Sequence, residues 1–238
     1  MIQINNKKLA DIGFYINLDS RTDRKEHLLK NLECFNIKGV ERFSAKTDNS
    51  TAGINLVNST LDIYKDFIKS EADTLLILED DCQFLEPFNC ESEQILADIN
   101  SLDWDLFWLG CHHRRKPVCV SHNCYRVSSV SYAQSYIIKK PFAKEVVETI
   151  ENHGYIGGGL PDEILCLLAF SREIAINPNQ FDFYNQIQPL DKFKPQFISL
   201  CYKYALSTQY DSYSDLWFFE TSLNKFISSS HPEKYYEK

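Results

Sequence analysis

The sequence predicts an α/β domain built on a mixed, mostly parallel sheet flanked by helices. Two observations carry that expectation. Strand-like and helix-like patterns alternate along most of the chain. Thr74-Leu75-Leu76-Ile77-Leu78 is a short continuous apolar run, as expected of a strand buried on both faces. Size agrees: 238 residues can bury a sizeable core in one large domain.

The elements follow in order. Ile12, Phe14, Ile16 and Leu18 alternate with Gly13, Tyr15 and Asn17, the period of two that marks a strand. Ser20 and Asp23 form a capping-box-like pair, and Leu28, Leu29, Leu32 and Phe35 behind them share one helical face. Gly39 to Phe43 returns the chain to the sheet. Asn58 or Ser59 caps a second helix whose face is Leu61, Tyr64, Phe67 and Ile68. Beyond the buried run, Trp104 to Leu109 reads as a strand ended by Gly110, and Ser128 to Ile138 holds further strand-like stretches. Pro141 suits a helix start and leads into Phe142, Val146, Val147 and Ile150. Gly157-Gly158-Gly159 precedes Pro161 and a short helix through Ile164, Leu165 and Leu168, and Ile174-Ala175-Ile176 adds one more strand. After Asp191 the pattern weakens and tyrosines and lysines accumulate. Residues 1–191 are therefore expected to form the domain and residues 192–238 an aromatic-rich C-terminal appendage packing on it.

Composition narrows the function. A hydrophobic share of 44% and a charged share of 24% are ordinary for a globular protein. The net charge of −8 argues against a dedicated nucleic-acid binder, which needs a basic face to neutralise phosphates. The longest apolar run, Ile164 to Phe170, falls far short of the roughly 20 residues that cross a bilayer. No export signal is read behind the charged N-terminus. The eight cysteines are accordingly expected to be reduced thiols in a cytoplasmic protein.

The most informative segment is Glu79-Asp80-Asp81, at the end of the buried run. Open α/β sheets place ligands at the carboxyl ends of their strands. Three negative charges beside an apolar strand need an offset. A hard divalent cation such as Mn²⁺ or Mg²⁺ supplies it, and such an ion can bridge a diphosphate. The alternative is a solvated acidic turn.

Leu76 to Asp81 resembles the "LILEDD" segment of the family 25 glycosyltransferases, the lipopolysaccharide-biosynthesis and collagen-galactosyltransferase-like group. Tyr15-Ile16-Asn17-Leu18-Asp19-Ser20-Arg21-Thr22-Asp23-Arg24 is similar to that family's opening pattern of INL followed by Arg-x-Asp-Arg. Ser59 through Tyr64 and Lys65 resembles its Ser-His helix, Trp104 to Gly110 its "WDxxxLG" strand, and Ser131 through Lys144 its "AYxxS…A" segment. The segments stand in the family's order over Ile12 to Leu168. The sequence departs from the pattern at Ser20, where the family has a second arginine, at Thr60, where it has histidine, and at Asn55-Leu56, where it has Gly-Cys.

The resemblance implies a GT-A-like fold and transfer of a hexose, galactose or glucose, from a UDP-sugar with inversion. The acceptor would be a hydroxyl of a glycan, a lipid-linked sugar or a protein. It implies that Asp81 with Glu79 binds the metal, that Asp80 lies beside the donor ribose or sugar, and that Asn17, Arg21 and Arg24 lie near the nucleotide. Arginine suits phosphate because its planar fork pairs with phosphate oxygens. For Arg21 and Arg24 the alternative is a solvated first helical turn. An inverting transfer needs a general base, and Asp162 and Glu163 are the candidates. Acidic residues at a helix start are also favoured by its dipole alone.

Cys111, His112, His113, Cys119, His122 and Cys124 lie close together beside Arg114, Arg115 and Lys116, but without the paired spacing of a structural zinc site. A basic loop over a diphosphate or acceptor is the favoured reading, with His112 or His113 as further metal ligands the lesser one. Tyr202, Tyr204, Tyr210, Tyr213, Trp217, Phe218 and Phe219 serve core packing first, and a dimer surface or sugar platform second. Lys192, Lys194 and Lys203 leave room for at most a peripheral membrane contact. Pro178 and Gln186 to Asp191 are placed at the far wall of the acceptor site. Two other classes stay open. Ser20 and Thr60 allow a catalytically inactive nucleotide-sugar or glycan-binding module of the same fold. A metal-dependent phosphodiesterase or nucleotidyltransferase would need a second Asp/His cluster, which the sequence lacks.

Overall fold

The computed structural model describes residues 1–48, 51–156, 160–170 and 196–211, with the backbone of 213–214 and 219–220. An N-terminal hairpin, β1 (Ile2–Ile4) and β2 (Lys7–Ala10), leads into β3 (Ile12–Asn17), α1 (Thr22–Cys34), β4 (Ile37–Lys38), β5 (Glu41–Ser44) and α2 (Ala52–Lys69). Then come β6 (Thr74–Glu79), β7 (Cys82–Phe84), α3 (Glu86–Cys90), α4 (Ser92–Ser101), β8 (Leu106–His113), β9 (Val118–Cys119) and β10 (Cys124–Arg126). The remaining elements are β11 (Val130–Lys139), α5 (Lys140–His153), α6 (Pro161–Phe170), β12 (Ser199–Tyr202), β13 (Ser207–Gln209), β14 (Tyr213–Ser214) and β15 (Phe219–Glu220).

The class is α/β, with a large mixed sheet between helices. Among the described residues this sheet has eight strands in the order β5-β3-β6-β11-β8-β12-β10-β9. β5, β3 and β6 run parallel, as do β8 and β12, while β11 runs against both of its neighbours. β6 shows why the apolar run was needed. Leu75 and Ile77 enter one core with α2, α5 and α6. Leu76 and Leu78 enter the other, with α1, α3, α4 and the small β2-β1-β4 sheet. Both faces are covered, so the strand has no polar side to alternate with. No described helix is long and apolar enough to cross a membrane.

Several local expectations are corrected. The capping box does not form: α1 has Arg21 at its N-cap with no side-chain cap, because the Arg21 guanidinium takes the Asp23 carboxylate at 2.9 and 3.0 Å. α2 begins a turn and a half upstream of Asn58, capped by Thr51, whose Oγ1 accepts from Ile54 N at 3.4 Å. Buried Gly53 and Val57 extend the apolar face that was read only from Leu61 onward. Ser59 is mid-helix, donating to Asn55 O at 2.7 Å and accepting from Lys46 N at 2.9 Å.

Gly110 does not end its strand; it lies inside β8. A Cβ there would fall 2.1 Å from the Ser207 carbonyl oxygen, so the glycine admits a close backbone approach. The N-terminal hairpin was not anticipated. Asn5 and Asn6, with φ of 50° and 63°, make its two-residue turn between Ile4 and Lys7. Within the segment expected to be an appendage, β12 pairs in parallel with β8 inside the main sheet. Gly157 to Gly159, Ile174 to Ile176, Pro178, Gln186 to Asp191, Lys192, Lys194, Trp217 and Phe218 lie outside the described residues.

Candidate active site

The parallel strands β5, β3 and β6 end side by side, with Ile16 opposite Glu79 and Asn17 opposite Ser44. That register sets Asn17 beside the acidic turn. Asn17 is 1% exposed, and its Nδ2 donates to Asp80 Oδ2 at 2.8 Å and to the Arg21 carbonyl at 3.0 Å. Its own side-chain oxygen accepts from Arg42 Nε at 2.9 Å, and Arg42 reaches the Asn17 carbonyl at 3.2 Å. α1 supplies the cation. Arg24 lies on its buried face with Leu28 and Leu32, and Nη1 pairs with Asp80 Oδ1 at 3.0 Å and Asp81 Oδ2 at 3.2 Å. Both oxygens of Asp80 are thus engaged from two separate elements.

Asp81 is differently placed. Its Oδ2 also accepts from Gln209 Nε2 at 3.3 Å, and its carbonyl accepts from Tyr210 N at 2.6 Å. Its Oδ1 is buried and has no hydrogen-bond partner. Burial pushes the Asp81 carboxyl up to about 6, against the pull of Arg24 and with a further push from Asp80. Burial, followed by the charges of Asp81, Asp80 and Asp162, drives Glu79 well above the ordinary carboxylate range. Asp80 and Asp81 are therefore buried and Glu79 half-buried beside them, a set of acceptors paired among the described residues with the Arg24 guanidinium, which is not the condition of a solvated turn.

These residues fit a hard divalent cation. Asp81 Oδ1 lacks a partner, and the Glu79 carboxyl beside it is pushed up by burial and then by its acidic neighbours, against the pull of Arg24. Among the described residues no three His, Cys, Asp or Glu side chains form a ready-made metal cage. That agrees with Mg²⁺-type sites, which take one or two carboxylates and complete their shell with water and substrate phosphates.

The second acidic pair opens α6. Asp162 is 7% exposed; Oδ2 accepts from Tyr132 N and Oδ1 from Glu163 N, both at 3.0 Å. Burial raises its pKa, opposed first by the Tyr132 N–H and then by Arg114. Its charge reaches Glu79, so the structure brings the two acidic segments into one field. Tyr132 sits in a bulge of β11. Ser131 pairs with His112 but Ser135 pairs with Gly110, so three residues of β11 face Cys111 alone. Tyr132 has φ of 68°, a left-handed conformation that a bulky side chain rarely holds unless its surroundings fix it. Asp162 is one of those fixtures.

The structure brings Asn17, Arg24, Glu79, Asp80 and Asp81 together. Arg21 forks onto Asp23, and Glu163 faces Arg114 at 3.7 Å. Arg114 also bonds Ser131, so the basic loop after β8 is tied to the bulge. In the Cys/His segment, His113 Nε2 lies 4.0 Å from Cys201 Sγ, and the His112 ring lies 6.4 Å from that of Tyr132. Sequence reasoning missed Arg42, Gln209 and His27, whose ring stacks at 3.6 Å on Tyr210, a residue read there only as part of the aromatic tail. Arg42 had a local signal, a cation in the Gly39 to Phe43 segment that returns the chain to the sheet. Gln209 had none: it meets Asp81 across 128 positions.

No protein-family model matches the chain, and no curated protein matches it in sequence. Solved structures do overlap with it. A crystallised protein from STIV aligns at a TM-score of 0.41 and 16% identity, covering 84% of this chain and 85% of its own. A glycosyltransferase involved in glycosylation of the major capsid of PBCV-1 aligns at 0.41 and 8%, covering 73% and 78%. Apo UDP-glucose pyrophosphorylase aligns at 0.36 and 10%, covering 90% and 70%. Overlaps at these TM-scores and identities assign no activity.

Proposed function

We propose that the chain is a metal-dependent glycosyltransferase of GT-A-like fold, moving a hexose from a UDP-sugar to an acceptor hydroxyl with inversion. The observation that supports it best is Asp81: a buried carboxylate at a strand end, one oxygen tied to Arg24 and Gln209 and the other without a partner. The family 25 resemblance, read from the sequence, points to the same residue.

In this reading Asp81 and Glu79 hold Mn²⁺ or Mg²⁺, which supplies positive charge to the donor diphosphate. Asp80, fixed by Asn17 and Arg24, presents its edge to the ribose or sugar. Arg24 and Arg21 border the phosphates, where guanidinium groups offset the charge gathering on the departing UDP. The acceptor oxygen attacks the anomeric carbon, the bond to the diphosphate oxygen breaks, and the acceptor proton goes to a base. Asp162 suits the base role because burial raises its proton affinity, and Glu163 is the adjacent candidate. The acceptor is a glycan, a lipid-linked sugar or, less favoured, a hydroxylated protein side chain. Thr60 supports the inactive-module alternative, since its hydroxyl is spent on Leu56 O at 2.9 Å and offers the site nothing like an imidazole.

The test is hydrolysis of a panel of UDP-, GDP- and CMP-sugars with and without Mn²⁺, comparing the native chain with Asp81→Ala. Metal-dependent release of one nucleotide, lost in the variant, supports the transferase. Metal-dependent UDP binding without release under any acceptor favours the module. Absence of both nucleotide binding and release overturns the reading.

A further inference from the structure

The C-terminal segment that crosses the acidic site does more than cover it. β13 pairs antiparallel with β7, setting Gln209 opposite Cys82, the residue after Asp81. Tyr210 N donates to the Asp81 carbonyl at 2.6 Å, and the Tyr210 ring stacks on His27 of α1. The segment is thus latched on both sides of Gln209. Held in this way, the Gln209 amide turns its nitrogen to Asp81 Oδ2 at 3.3 Å. That leaves its carbonyl oxygen, Oε1, buried without a partner, just as Asp81 Oδ1 is.

Two desolvated oxygen acceptors on directly bonded side chains are unfavourable as they stand, because each gives up water for nothing. No donor from the described chain reaches either one. A ligand must bring positive charge or donor hydrogens to both. Amide and carboxylate oxygens together are a donor set for hard divalent cations. The Gln209 oxygen also accounts for the absence of a three-carboxylate cage among the described residues: the extra ligand is a neutral amide.

We propose that the side-chain carbonyl of Gln209 is a ligand of the divalent cation held by Asp81 and Glu79, so that the C-terminal segment closes the metal site. This rests on the metal reading of Asp81 above. The neutral ligand has a consequence: it adds an oxygen without adding to the repulsion among Glu79, Asp80 and Asp81.

The test is Mn²⁺ binding to the full chain without nucleotide, read from the free-ion electron paramagnetic resonance signal. Native protein, Asp81→Ala and Gln209→Leu are compared, with thermal midpoints of the apo forms as folding controls. Gln209→Leu should weaken Mn²⁺ binding about 10- to 100-fold while Asp81→Ala abolishes it. Native affinity in a folded Gln209→Leu overturns the ligand role and leaves the Asp81 site standing. If native protein binds no Mn²⁺, the metal reading itself falls, and this proposal with it. If Gln209→Leu does not fold, the assigned side-chain amide of Gln209 is followed by NMR in native protein during Mg²⁺ addition. A saturable shift supports ligation, and an unmoved resonance overturns it.

Discussion

Among the described residues Arg24 is the cation that pairs with the acidic triplet, which makes Arg24→Met an informative perturbation. Methionine keeps most of the volume of the arginine stem and removes the charge. The guanidinium stands 3.0 Å from Asp80 Oδ1 and 3.2 Å from Asp81 Oδ2, with only 9% of its side chain exposed. At such separations each pair carries about 4 kcal/mol of gross attraction in a moderately polar interior. Removing one partner of a buried pair strands the other, and the net loss is about 3–5 kcal/mol. The loss depends on pH. The folded Asp81 carboxyl sits at about 6 against 3.8 when solvated, so the folded state binds the extra proton and stability rises as pH falls from about 6 toward 4. Arg24 lowers the Asp81 and Glu79 carboxyls, so without it both rise further and acidification relieves the variant more than the native chain.

The assay is urea unfolding in chelated buffer, followed through buried Trp104 and Trp108. The deficit of Arg24→Met should be about 3–5 kcal/mol at about pH 8 and clearly smaller at about pH 5. Mn²⁺ at about 100 times its Kd should return about 2.7 kcal/mol. A deficit under about 1 kcal/mol, or one equal at both pH values, would refute the account of a buried triplet held by its cation.

Gly110→Ala should destabilise the fold by about 1–3 kcal/mol in the same unfolding assay, because its Cβ would meet the Ser207 carbonyl, which cannot swing aside as a side chain can. Its Mn²⁺ affinity should fall too, since Ser207 and Gln209 move together in β13. Tyr64→Phe should lose about 1–2 kcal/mol, because it leaves the Tyr136 hydroxyl, 2.8 Å away, buried and alone. Adding Tyr136→Phe should recover part of that loss, and simple additivity of the two changes in a double-mutant cycle would show that the hydroxyls do not interact.

What the sequence reveals here is what is local. The run from Thr74 to Leu78 declares a strand with two covered faces, and the carboxylates behind it declare an unusual charge at the strand's end. Asn17 and Arg24 were singled out by the resemblance of the segment from Tyr15 to Arg24, which is itself a short, local stretch. The local misreadings share a cause. The capping box was present in residue types, but Arg21 offered Asp23 a stronger partner than a backbone N–H. Gly110 read as a stop because a glycine within a strand is usually unfavourable; its reason, Ser207, lies in a distant part of the chain.

The same division runs through the site. One wall, from β3, α1 and β6, is encoded within the first part of the chain. The other comes from β13, whose place depends on β7 accepting it as a partner and on β12 first entering the sheet beside β8. The acidic triplet alone would be an electrostatic liability in the folded chain, relieved only in part by Arg24. The closing segment adds one donor to Asp81, the Gln209 amide, and hides another acceptor beside it. On the metal reading proposed above, a cation would satisfy both acceptors, and this part of the chain would serve binding more than folding.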